Sequence, residues 1–410
     1  MRPIALVIAL SGCAFHPTAG SVEDGGGVHD GTSADASVLR TFPHLPAGEA
    51  PSATGDVMWS GAVTVNTSDG TVVPALPAGA ELVLVTPDPA GPQLYLLRAH
   101  SLTVVAGATV SVRGSHALVV LADTIDIAGA LDAGGHGGRP GPGAAITSTQ
   151  ASGAVGAGGN GVHSELTGAV GDSGGGGGGG GTAGAGGGSA NIDEATCFDS
   201  ALALPAGAGG VAFATPDLPV LTGGMYGGAG SPGSCPAATG GGGGGALQLS
   251  AVTSIHIAAT ATLSVSGGGG GGGVFCSTND AGAGSGGGAG GAIMLDAPVL
   301  AQDGQIGANG GGGGGGGCGP TDGTGTPGAN GDATAASARG GAPSQPDGCG
   351  FAGGDGAAST TAPTRGADGL CGDNGGGGGG GAGVIVFHLP SGVQPTGAGT
   401  ASPPALISIW

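Results

Sequence analysis

The chain contains no lysine. Its seven basic residues are all arginine, and they stand against 27 aspartates and glutamates, which gives a formal net charge of −20. A chain this acidic repels nucleic-acid phosphates and anionic lipid head groups, so we expect no nucleic-acid partner. Aromatic residues make up only 3%, which disfavours a core built on large rings and favours strands of Val, Leu, Ile and Ala.

Charged residues are also scarce, at 8% of the chain. Disordered proteins are usually rich in charge, so this composition argues against disorder throughout. What the chain has in abundance is glycine, with 105 residues of 410. A strict Gly-X-Y period is absent, which excludes collagen. Five uninterrupted glycine tracts stand out, at 174–181, 240–245, 267–273, 310–317 and 375–381.

An apolar phrase recurs in register with these tracts. It occupies 94–99, 117–122, 246–251 and 292–297, with a looser copy at 383–388. Two shorter alternating segments follow each full copy, which predicts units of three short strands separated by Gly or Ala bends. One unit cannot bury its apolar face alone, but stacked units can. We therefore predict an all-β fold, a parallel β-helix or solenoid of stacked strands over 56–410. An antiparallel sandwich with long hairpin loops is the alternative.

Three glycine-rich insertions interrupt the predicted strands, at 134–245, 267–291 and 310–382. Each follows the same point of the repeat, so we expect them to project from one side of the scaffold. Polyglycine-II helices rise about 3.1 Å per residue and can approach one another closely, so an eight-residue tract would extend about 25 Å. We predict a docked bundle of such helices. Disordered arms are the alternative, because ordering glycine costs the most chain entropy.

The amino-terminal residues have the pattern of an export signal. A basic start at 1–3 precedes an apolar run at 4–10 that is too short to span a bilayer, which indicates a signal peptide over 1–12. Leu-Ser-Gly-Cys at 10–13 resembles the lipobox of bacterial lipoproteins. This resemblance implies cleavage before Cys13, a lipid on Cys13 and, with Ala14 next, an outer-membrane location. An ordinary signal peptide with a chance cysteine is the alternative. Residues 13–55 are predicted to be a disordered acidic tether.

Six further cysteines remain for the exported part of the chain. An even number in such a context predicts disulfides, and sequence proximity suggests Cys197–Cys235, Cys349–Cys371 and Cys276–Cys318 among fifteen connectivities. A metal site is less favoured, because no Cys-x-x-Cys or His–Cys pair has ligand spacing. The nine histidines are dispersed, and we predict no catalytic, cofactor-binding or metal-ligating residues. The disulfide candidates are Cys197, Cys235, Cys276, Cys318, Cys349 and Cys371.

Two phrases carry a weak family resemblance. Gly-Ala-Asn-Gly-Gly at 307–311 and Gly-Gly-Asn-Gly at 158–161 resemble the repeats of PGRS-type glycine-rich surface proteins, without the PE domain of that mycobacterial family. The whole plan is similar to glycine-rich secreted lipoproteins of the myxobacterial type. It implies a non-catalytic cell-surface protein with a structural or adhesive role and no cofactor. The alternatives are a glycan- or cell-binding adhesin module and a polysaccharide-active β-helix enzyme.

Overall fold

The structure is a computed structural model of the chain. It describes residues 40–51, 54–87, 91–144, 155–166, 169–191, 203–214, 217–231, 235–277, 280–318, 323–345, 350–369 and 374–410. Internal contacts divide the chain into two units, Met1–Arg40 and Thr41–Trp410. Every strand of the described residues belongs to the second unit.

The strands are short, and their bounds in chain order are β1 (Asp56–Trp59), β2 (Ala62–Asn66), β3 (Thr71–Val73), β4 (Glu81–Val85), β5 (Leu94–Arg98), β6 (Ser101–Val104), β7 (Thr109–Arg113), β8 (Ala117–Ile127), β9 (Ala130–Asp132), β10 (His163–Leu166), β11 (Ala169–Asp172) and β12 (Ala190–Asn191). They continue with β13 (Ala203–Leu204), β14 (Ala246–Ile257), β15 (Thr262–Ser264), β16 (Phe275–Ser277), β17 (Asp280–Ala281), β18 (Ala292–Asp296), β19 (Val299–Gln302), β20 (Gln305–Gly307), β21 (Val384–Leu389), β22 (Thr400–Ser402) and β23 (Leu406–Ile409).

The larger sheet has ten strands and is built on the recurring apolar phrase. Its main path is β1-β6-β8-β14-β18-β21-β23, with β5 paired to β8, β4 to β5 and β19 to β14. The phrase strands pair in parallel and in matching register, so that Leu118 lies opposite Leu247, Leu247 opposite Ile293, and Ile293 opposite Ile385. Parallel strands that are buried on both faces have continuous apolar runs. Residues 94–97 follow this rule, since all four are buried.

The smaller sheet has seven strands in the order β22-β20-β15-β9-β7-β2-β3. Alternate residues of its strands are buried, including Val110, Leu131, Leu263 and Ile306. These side chains join one apolar cluster with the inner-face residues of the larger sheet. The core therefore lies between the two sheets. Three small antiparallel hairpins, β10–β11, β12–β13 and β16–β17, lie outside both sheets.

The prediction of an all-β parallel β-helix or solenoid is wrong. Both sheets are open and mixed, because β4 pairs antiparallel with β5 and β3 pairs antiparallel with β2. The bend predicted after the first segment of each unit is also missing from β8 and β14, which run on as single strands of 11 and 12 residues. No closed coil results. The sheets are of the open, mainly parallel kind common in α/β proteins, although the described residues contain no helix.

The outer face of the larger sheet is covered by two irregular segments. We call residues 41–47 the strap and residues 217–221 the clasp. Phe42 and Leu45 of the strap, with Leu218 and Leu221 of the clasp, form a second buried cluster with outer-face residues such as Leu96. The folded unit thus extends into the segment that the sequence assigned to the tether.

The glycine tracts are packed against one another and form what we call the glycine block, comprising 174–181, 240–245, 267–273, 284–291, 310–317 and 375–381. They contain neither α-helix nor β-strand. The tract 310–317 shows how they bond. Residues 310, 313 and 316 donate their N–H groups to the segment 351–357, residues 311, 314 and 317 to 282–288, and residues 312 and 315 to 326–329. One tract therefore bonds three neighbouring segments in turn with a period of three residues, which is the period of the predicted polyglycine-II helices.

Glycine is required in this block for close approach. A Cβ added at any of the eight positions 310–317 would lie closer than 3.0 Å to a backbone carbonyl oxygen of a neighbouring segment. None of these residues has a left-handed backbone conformation, so freedom of φ is not the reason for glycine here. The absence of a side chain is what lets the segments bond directly.

Candidate ligand-binding cleft

A cleft of about 460 Å³ lies on the outer side of the larger sheet. The strap and clasp residues 217–219 form part of its lining, and Met294, His388, Ser408 and Trp410 complete it. Strands β18, β21 and β23 supply these four residues or end next to them. We call it the strap cleft.

A buried polar network fixes the strap and the clasp in place. His44 is only 5% exposed, with Nδ1 2.7 Å from Oε1 of Gln248 and Nε2 2.6 Å from the carbonyl oxygen of Leu218. The amide of Gln248 donates to the carbonyl of Pro43 and to Oγ of Ser250, at 2.8 and 2.9 Å. One imidazole therefore joins strap, clasp and sheet, and buried groups joined in this way hold a single geometry.

A carboxylate and an imidazole meet in the cleft because of strand register. Asp296 of β18 lies opposite His388 of β21, which in turn lies opposite Ser408 of β23. Nδ1 of His388 is 2.9 Å from Oδ1 of Asp296, and the Asp296 side chain is fully buried. A carboxylate can only accept, so Nδ1–H donates and Nε2 is the acceptor of the neutral ring. Within the described part of the chain, Nε2 makes no hydrogen bond.

Trp410 completes the cleft with an aromatic surface. Its ring centroid lies 6.4 Å from that of His388, with the planes inclined by 44°, and the residue is 47% exposed. Its backbone N–H donates to the carbonyl of Leu389, and its carbonyl accepts from the N–H of Ser391. The indole is therefore held beside the imidazole while part of its surface stays open to a ligand.

The cleft presents donors and acceptors without an activated nucleophile. Nucleophilic catalysis needs a hydroxyl within hydrogen-bond reach of its base, about 2.6–3.2 Å. Ser408 makes no hydrogen bond to His388 in this geometry. As it stands, the arrangement is suited to holding a polar ligand against an aromatic ring.

Histidine–aspartate pairs recur across the molecule. Of the seven histidines in the described ranges, five contact an aspartate: His100–Asp56, His136–Asp132, His163–Asp172, His256–Asp126 and His388–Asp296. Sequence reasoning missed them, because the four pairs other than His136–Asp132 span nine to 130 positions and strand pairing or folding brings them together.

Two of these pairs shift the ionisation of their members. Hydrogen bonds from Ser101 and His100 lower the pKa of Asp56, and the bond to Asp56 raises the pKa of His100. Burial acts to raise the pKa of Asp132, but hydrogen bonds from His136 and the Gly134 amide outweigh it, so that this pKa is lowered. Asp132 and His136 line a second cleft, of about 280 Å³, on the smaller sheet. Its lining contains no Phe, Tyr or Trp.

The structure tests part of the cysteine predictions. Cys235 is bonded to Cys276, so the pairings Cys197–Cys235 and Cys276–Cys318 are both wrong. The true bridge joins the first insertion to the second, because the insertions pack side by side. Cys318 is also disulfide-bonded. The lipidation candidate and the three other disulfide candidates lie outside the described residues: Cys13, Cys197, Cys349 and Cys371.

Across the described ranges, no group of three or more His, Cys, Asp or Glu residues could hold a metal ion. The same ranges contain no helix that is long and apolar enough to cross a membrane.

Comparison with known proteins adds no relative. Protein-family models gave no match to the chain, and searches of curated proteins and of solved structures gave none either.

Proposed function

We propose that this is a non-catalytic protein of the cell surface with a structural or adhesive role. The observation that supports it is the glycine block, in which segments from all three insertions bond directly through their backbones. Buried backbone bonds of this density resist local opening. The block offers almost no side chains for chemistry, whereas the rigidity that its backbone bonds confer is what a structural or adhesive protein needs.

We further propose that the protein is exported and anchored to the outer membrane by lipid on Cys13. The lipobox-like residues 10–13 support this. Mass spectrometry of the mature protein should find a lipid-modified Cys13 as its first residue. An unmodified Cys13, or cleavage at another bond, would contradict the anchor.

The proposed role is tested on cells that carry the full chain. Cells with the wild-type protein should attach to a surface or to each other more than cells without it, and a Cys13→Ser variant that is released from the cell should abolish the difference. Attachment that is the same with and without the protein would contradict an adhesive role. Cleavage of an acidic polysaccharide by the purified chain would contradict the non-catalytic one.

A further inference from the structure

The strap cleft combines a size and a lining that few ligand classes satisfy. Its volume of about 460 Å³ lies within the range of small-molecule sites, about 300–1,000 Å³. The strap and the clasp are fixed by the His44 network, so the site does not need to form around its ligand. Preformed sites lose less entropy on binding.

Charge excludes one class of ligand. No arginine lies among the lining residues, and Asp217 contributes an exposed carboxylate. The whole chain carries a net charge of −20. Phosphates and sugar acids are therefore repelled by the cleft and by the protein around it.

Lining chemistry excludes a second class. Trp410, Met294 and Phe42 are among the apolar residues of the lining, and His388, Ser408 and Asp217 supply polar atoms. A purely apolar ligand would bury these polar atoms without partners, which costs free energy. The fitting ligand has one apolar face and a rim of hydroxyl or amino groups, as a pyranose ring does. Indole is well suited to such a face because it is large, rigid and weakly polar.

We propose that the strap cleft is a saccharide-binding site for one or two neutral or amino-sugar rings. Trp410 is the surface on which a ring stacks, and Nε2 of His388 accepts a hydrogen bond from a sugar hydroxyl. Asp296 is a positioning residue, because its bond to Nδ1 fixes the orientation and tautomer of the imidazole. This inference rests on the adhesive role proposed above and names the class of its ligand.

Tryptophan fluorescence of the purified full chain tests the site directly. The chain has two tryptophans, and Trp59 is only 3% exposed, so a change on ligand addition reports on Trp410. The probes are cellobiose as a neutral sugar, a glucosamine disaccharide as an amino sugar and a glucuronic acid disaccharide as an acidic one. We expect saturable changes with the first, the second or both, and none with the third. No saturation with either of the first two, or stronger binding of the acidic sugar, would overturn the proposal.

Calorimetric titration of variants locates the binding. Trp410→Ala should weaken it about tenfold or more through loss of the ring contact, and Trp410→Phe should retain most of it. Asp296→Asn should weaken binding while leaving the fluorescence response of Trp410 in place. The matched control is Met58→Ala on β1, an exposed apolar residue outside the cleft. If Trp410→Ala and Met58→Ala both bind the sugar as tightly as the wild-type protein, the proposed site is refuted.

The attachment assay separates this inference from the role on which it rests. Cells that carry Trp410→Ala and still attach would show that the adhesive role stands and the cleft does not serve it. Saccharide binding by the purified chain without any effect on attachment would leave the site in place and remove the adhesive role. Loss of both binding and attachment in Trp410→Ala, with Met58→Ala normal in both, is the expected result.

Discussion

The glycine block makes a strong prediction at Gly314, in the middle of a buried tract. Its N–H donates to the carbonyl of Ser285 and its carbonyl accepts from Gly377, both at 2.8 Å. A Cβ added here would press on the backbone of Gly271 and Gly272. Backbone atoms cannot rotate away as the end of a side chain can, so Gly314→Ala must push whole segments apart.

The expected change in unfolding free energy combines two destabilising contributions and one stabilising contribution. Inserting a methyl group into a filled interior costs about 1–3 kcal/mol, and each hydrogen bond displaced by the shift costs about 1 kcal/mol. Alanine stabilises by about 0.4–1 kcal/mol because it restricts the unfolded chain. We therefore expect Gly314→Ala to lose about 2 kcal/mol of unfolding free energy, measured by urea titration with the disulfides oxidised.

Gly186 provides a matched control within the same glycine-rich region. The nearest atom to an added Cβ there is the carbonyl oxygen of Gly207 at 3.6 Å, and its backbone is not left-handed. Gly186→Ala should therefore be neutral or stabilise by up to about 1 kcal/mol. Equal stability of Gly314→Ala and Gly186→Ala would refute the packed block, as would rapid amide exchange across 310–317 in the wild-type protein.

Three other perturbations follow from the described contacts. His44→Ala should cost about 2 kcal/mol in a urea titration, because it leaves Oε1 of Gln248 on the sheet and the carbonyl oxygen of Leu218 on the clasp without a donor. Cys235→Ser removes a bridge with a sequence separation of 41, and chain entropy alone predicts a loss of about 4 kcal/mol. Proton NMR should give His100 a pKa above 6.5, and Asp56→Asn should return it towards 6.5. The raised pKa means that His100 stabilises the fold below pH 6.5 and that this contribution is lost as pH rises through the folded value.

Each of these three predictions can be contradicted by a specific result. His256→Ala removes an exposed His–Asp pair, with 48% of the side chain open, and should change stability by less than about 1 kcal/mol. A His44→Ala protein as stable as His256→Ala would show that the strap is not held by this imidazole. Wild-type protein that is no less stable under reducing conditions would contradict the disulfide prediction. A His100 pKa that Asp56→Asn does not lower would contradict the pairing.

The strands were largely predictable and their assembly was not. A repeated apolar run marks β5, β14 and β18 in the sequence, because strands that are buried on both faces have continuous apolar runs. Whether a bend or a continuous strand follows depends on a few residues such as those at 123–124 and 252–254, which carry no strong turn signal. The continuous strands and the antiparallel β3 and β4 are what made the closed coil a wrong prediction.

The candidate site was less predictable than the fold. Asp296 and His388 are separated by 92 positions, and only the pairing of β18 with β21 brings them together. The strap could not be predicted for a different reason. Residues 41–47 have no periodic pattern and lie in a segment whose composition favours disorder. Two of the predicted disulfides were wrong because sequence proximity says little about which cysteines meet when whole insertions lie side by side.

The glycine block and the strap cleft differ in the chemical groups that they present. A surface of peptide groups presents the same donors and acceptors at every residue, so it can pack and bond but has little means of distinguishing ligands. Specific recognition needs side chains of different character at fixed positions. In the described residues the strap cleft is where an indole, an imidazole, a hydroxyl and a carboxylate converge. Rigidity should therefore respond to changes such as Gly314→Ala, and ligand selectivity to changes such as Trp410→Ala, with little effect of either on the other property.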